Sequence, residues 1–202
     1  MVGDPGGQQK GKFMVASRSL CVSTVAGFAL GWAGTAVAQD TPRWSEVDCA
    51  QSRLSTPPGL QCKASQNYAG GDSSTGSAGG TFRRWLASGR MNGAGVFYYL
   101  AEATSLGASV MEGSSLQKDI RNEMKDGNMI HEFSPMGNRG GADYMTFMTG
   151  AGNSCVGIRR YGPSQGEGYR WILYGVRCDP RGRPITDAQI DGFISGASYR
   201  SS

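Results

Sequence analysis

His131 and Glu132 stand side by side in a chain of 202 residues, and the pair has the outline of the first half of a zinc-hydrolase helix. That motif needs a second imidazole four residues on, so that both rings face one metal. Position 135 is Pro, which discourages a helix, and His131 is the one histidine in the sequence. A histidine-rich metal site is therefore out of reach, and no metal is expected. His131 can still serve a hydrolase as general acid or base with Glu132 or Asp143, because such groups are assembled in space rather than along the chain. Glu132 and Asp143 are also candidates for an acid/base carboxylate pair, although their sequence separation sets no distance. Gly162-Pro-Ser-Gln-Gly166 matches Gly-x-Ser-x-Gly to the letter. The nucleophile elbow works by straining a serine between a strand and a helix, whereas this copy falls in a polar loop between two β-rich runs. No dinucleotide fingerprint, P-loop, haem-attachment or EF-hand pattern occurs, so no cofactor is expected.

A second kind of chemistry comes from Arg159, Arg160, Arg170, Trp171 and Tyr174, with Phe97, Tyr98, Tyr99 and Tyr144 in other runs. Arginines beside aromatic faces suit sugars, peptides or a partner protein, but aromatic residues in strands also build cores. Both readings stay open.

The elements that would carry these residues are legible in part. Cys155-Val-Gly-Ile-Arg-Arg-Tyr161 and Tyr169-Arg-Trp-Ile-Leu-Tyr-Gly-Val-Arg-Cys178 flank a Gly/Pro/Ser loop, each with a cysteine at its far end. This is the pattern of a long hairpin. With Cys155 opposite Cys178, Tyr161 lies opposite Ile172. Cys155 and Tyr161 then share a face with Ile172, Tyr174 and Cys178, and Val156 and Ile158 share the other with Trp171 and Leu173. Apolar residues on both faces imply cover on both sides. Thr81–Ala87, Gly95–Ala101 and Asp143–Met148 read as further strands.

Two helices complete the set. Ser114 with Gln117 has the form of a capping box, Leu116, Ile120 and Met124 share one stripe, and Gly127 supplies the stop. Thr186 with Gln189 is a second capping box. Ile185 can staple to Ile190, and Ile190, Phe193, Ile194 and Ala197 form the buried face. The expected fold is α+β: a small antiparallel sheet, a meander with a hairpin, flanked by helices and stapled by disulfides.

The ends set the compartment. A basic start near Met14, an apolar run from Leu20 to Trp32 and Ala36-Val-Ala38 make residues 1–38 a secretory signal, with Met14 as a plausible true start. Arg18 stands alone, against a twin-arginine route, and Cys21 precedes the apolar run rather than ending it. Residues 39–80 read as an irregular, disulfide-pinned lead-in, whose Trp44 and Leu54 dock on the main body, followed by a Gly/Ser-rich linker. Residues 81–202 form a single α+β domain, and no transmembrane segment remains after cleavage.

Without residues 1–38, which carry Lys10, Lys12, Arg18 and Asp4, 17 basic residues face 15 acidic ones, a net charge of +2. That is too small to argue for nucleic acid. Cys49, Cys62, Cys155 and Cys178 remain, an even number in an exported chain. Three pairings are possible. Neighbour pairing, Cys49–Cys62 and Cys155–Cys178, is the favoured one, and the wide spread of the four argues against zinc.

The tail combines Cys155-Val-Gly-Ile-Arg-Arg with Tyr174-Gly-Val-Arg-Cys178 and Gly182-Arg-Pro-Ile-Thr-Asp before the last helix. It resembles the ends of small exported bacterial proteins of unassigned function, in which two strand cysteines precede a Gly-x-Pro turn and a terminal helix. The resemblance covers the last quarter of the chain, implies a Gram-negative periplasm and carries over no catalytic residues. The leading expectation is a periplasmic or secreted, envelope-associated protein with a binding or accessory role. A hydrolase using His131, and an interaction module using the Arg/aromatic hairpin, are the alternatives. The partner would be an envelope protein or a small ligand. Mass spectrometry of native material from the envelope fraction should find a chain starting at Gln39 with its four cysteines oxidised. Free thiols or a retained leader would overturn the export reading.

Overall fold

The computed structural model describes residues 43–69, 80–105, 107–111, 114–124, 130–180 and 182–201. The signal at 1–38, most of the Gly/Ser-rich stretch and the Gly127 stop lie outside the described residues. In chain order the strands are β1 (Trp44–Val47), β2 (Leu54–Ser55), β3 (Gln61–Ala69), β4 (Thr81–Met91) and β5 (Ala94–Ala103). After helix α1 (Leu116–Glu123) come β6 (Ile130–His131), β7 (Gly137–Arg139), β8 (Ala142–Thr149) and β9 (Ser154–Tyr161). Then follow β10 (Ser164–Gln165), β11 (Gly168–Tyr169), β12 (Trp171–Asp179), helix α2 (Asp187–Gly196) and β13 (Ser198–Tyr199).

Among the described residues, nine strands form one sheet in the order β1-β3-β4-β5-β12-β9-β8-β6, with β7 also on β8. Two antiparallel meanders, β3-β4-β5 and β8-β9-β12, meet where β12 pairs with β5. The chain between them carries α1 across the sheet. The antiparallel, disulfide-stapled character matches the expectation, but the sheet is larger than a small meander. In place of an irregular lead-in, β1 and β3 extend the same sheet by pairing onto β4. These strands are polar or short, so their pairing leaves little trace in composition.

The β9–β12 register is the expected one, with Cys155 opposite Cys178 and Tyr161 opposite Ile172. Both expected disulfides form, Cys49–Cys62 and Cys155–Cys178. The first closes a span of 13 residues, worth about 3 kcal/mol by loop entropy. Such bonds indicate an oxidising, extracytoplasmic setting. No helix among the described residues is long and apolar enough to cross a membrane.

Each face of the sheet carries one helix. On the first, Leu116 and Ile120 of α1 pack with Met145, Phe147, Cys155 and Val176. On the second, Ile190, Phe193 and Ile194 of α2 pack with Trp85, Tyr98, Leu100, Ile158 and Leu173. The Thr186–Gln189 capping box is present, and Ile185 joins the cluster that buries Ile190. At α1 the cap is Ser115 rather than Ser114, its side chain accepting from the Lys118 amide. The Ser114 hydroxyl instead bonds the Asp119 carboxylate, which leaves the capping role to the next serine.

Glycine makes room for the helices at the centre. A Cβ on Gly157 would meet Ile120 of α1, and one on Gly175 would lie 2.8 Å from the Tyr98 ring and 3.0 Å from the Phe193 ring. Those two rings stack with centroids 4.7 Å apart, and the Tyr98 hydroxyl donates to the Phe193 carbonyl. Locked rings cannot yield as a flexible side-chain end would. Gly175→Ala is therefore expected to destabilise the fold by about 1–3 kcal/mol, read as a lower urea midpoint at unchanged slope.

Candidate functional site

The acid/base candidates are spread along the sheet edge. His131 is exposed on β6, opposite Met148, and Glu132 is exposed beside it with φ of 54°. Asp143 sits five residues back along β8 from Met148, on the order of 17 Å at the rise of a strand, and accepts from the Asn138 amide. The structure brings neither His131 and Asp143 nor the two carboxylates together. Ser164 lies exposed in the two-residue strand β10.

The arginine/aromatic set divides between the two faces. Arg159 points to the α1 face, where it is 3 % exposed. Its Nη1 bonds the Ser114 carbonyl at 2.8 Å and Asp119 Oδ2 at 3.2 Å, and its guanidinium lies over the Tyr161 ring. Arg160 points the other way and donates to the Ile194 and Ala197 carbonyls at the end of α2, and to Gly140. Those carbonyls have no partner within the helix, and a cation there also suits the helix dipole. Arg170 is exposed between β11 and β12, and Trp171 stacks on Tyr199 on the α2 face. Of the hairpin residues in this set, Arg159 and Tyr174 reach the α1 face, where Phe97 and Tyr99 of β5 join them. Adjacent residues of a strand must diverge in this way.

A cleft of about 430 Å³ opens on that same face, between α1 and the sheet. Trp44, Arg84, Leu86, Phe97, Tyr99 and Tyr174 line it from the sheet, and Asp119, Asn122 and Glu123 line it from the helix. Trp44 meets Tyr99 edge-on at 6.4 Å, and Tyr99 lies 6.4 Å from Tyr174, its directly opposite residue. Trp44 stands three strand steps from Tyr99, a span of about 14 Å in a flat sheet. Two long side chains leaning over β3 and β4 close that span beside α1.

Its two walls differ in chemistry. The sheet offers aromatic faces, with Trp44 38 % exposed at the outer edge. The helix offers two carboxylates and an amide, one turn apart. At the inner end, burial pushes the Tyr174 phenol well above its ordinary value, the nearby Asp119 carboxylate pushes the same way, and Arg159 opposes them. The phenol therefore remains a hydrogen-bond donor at neutral pH.

Strand alternation puts Phe97 and Tyr99 on one face and Tyr98 on the other, so that part of the cleft has a signal in the sequence. Trp44, Arg84 and Asp119 have none, because long-range strand pairing and the docking of α1 bring them in. Comparison with protein-family models, with curated proteins and with solved structures finds no match to this chain.

The phenols also set an alkaline limit. In the unfolded chain Tyr98 and Tyr174 lose their protons near pH 10, whereas burial raises both in the folded state. Between those values the folded chain holds more protons, so stability falls as pH rises. The urea midpoint is expected to hold steady up to about pH 9.5 and decline above it, near the free phenol value. Tyr174→Phe should make that decline shallower, measured across a pH series.

Proposed function

We propose that this chain is an exported binding protein, periplasmic or secreted, that holds a small ligand in the cleft between α1 and the sheet. The observation that carries the reading is the row Trp44–Tyr99–Tyr174 facing Asp119, Asn122 and Glu123 across a hollow of about 430 Å³. Small-ligand sites have volumes of about 300–1,000 Å³ and pair apolar walls with a few polar groups. The disulfides support an oxidising compartment, and the dispersal of His131, Glu132 and Asp143 supports binding over hydrolysis.

Trp85 and Trp171 pack on the α2 side, so the indole of Trp44 reports on the cleft. In a small-molecule fragment screen by nuclear magnetic resonance, hits are expected to shift the Trp44 indole signal and leave those of Trp85 and Trp171 in place. Hits that gather on Trp171 instead would defeat this reading.

A further inference from the structure

We infer that the cleft takes a neutral saccharide, an inference that rests on the cleft being the binding site. The lining disfavours a fatty chain and a lone ion of either sign. A fatty chain needs an apolar wall throughout, yet Arg84, Asp119, Asn122 and Glu123 interrupt this one. An anion would face the Glu123 carboxylate of α1. A cation would share the hollow with the Arg84 guanidinium, and the Asp119 carboxylate is already neutralised by Arg159 at 3.2 Å. Charges of both signs leave no net field to select either kind of ion.

A pyranose ring meets both walls. Its C–H face is apolar and flat enough to lie on an aromatic ring, and its rim of hydroxyls both donates and accepts. Trp44 and Tyr99 supply rings set at 68° to one another, so a sugar stacked on either ring meets the edge of the second. Across the hollow, the Glu123 carboxylate accepts and the Asn122 amide both donates and accepts. Asn122 is exposed on α1, on the side of the helix that turns toward the cleft.

Isothermal titration calorimetry with the purified chain tests this. The ligands are neutral hexoses, N-acetylhexosamines and their disaccharides, set against free amino acids, choline and a medium-chain fatty acid. Saturable binding of a neutral saccharide is expected, about tenfold weaker in Trp44→Ala and severalfold weaker in Asn122→Ala, both at exposed positions. Binding of an amino acid, choline or the fatty acid that depends on Trp44, with no saccharide bound, would overturn the sugar assignment and leave the cleft as the site. Saccharide binding that neither variant weakens would overturn the cleft itself. No heat with any ligand would overturn the sugar assignment, with the Trp44 indole signal still deciding the cleft.

Discussion

The pairing of β9 with β12 is the constraint on which the other contacts depend. Side chains on these strands alternate between a face covered by α1 and a face covered by α2, so a slip of one residue would exchange the two sets. Cys155 and Cys178, opposite each other and bonded, close one end of the ladder. In this register Gly157 faces Ile120 of α1 and Gly175 faces Phe193 of α2. Arg159 and Arg160, neighbours in sequence, then reach opposite helices. One meets a carboxylate and a carbonyl at the start of α1, the other the open carbonyls at the end of α2.

The candidate site follows from this two-sided arrangement. Arg159 is buried, and a buried cation that loses its partner is costly, by about 3–5 kcal/mol. Asp119 therefore stays against β9, and α1 stays over one part of the sheet. The sheet is wider than the helix, which leaves a hollow beside α1. Aromatic residues from β1, β5 and β12 floor that hollow, and the polar side of α1 rims it.

The α2 side is closed by comparison. Phe193 and Tyr98 stack over Gly175, and Trp171 stacks on Tyr199. The short β2–β13 ladder brings residues 198–199 back onto Leu54 and Ser55. There the Tyr199 hydroxyl donates to the buried Glu102, which Arg53 also approaches at 3.5 Å. These contacts tie the two ends of the folded body together and leave the cleft on the α1 side open to solvent.

Local pattern by itself determined the hairpin register, both disulfides, the α2 capping box and the buried stripe of α2. Each rests on residues near in sequence, where a period of two or of 3.6 and a fixed cysteine spacing carry the signal. The cap of α1 shows the limit of that reading. Ser114 and Ser115 are both good caps, and the choice fell to Ser115 because Asp119 engages Ser114 from within a network that begins on β9. Tertiary structure alone decided that β1 and β3 join the main sheet, that Arg159 and Arg160 are anchors within the fold, and that Trp44 stands beside Tyr99. The physical reason is that strand pairing joins residues far apart in sequence, and no local period encodes which partner a short polar strand will find.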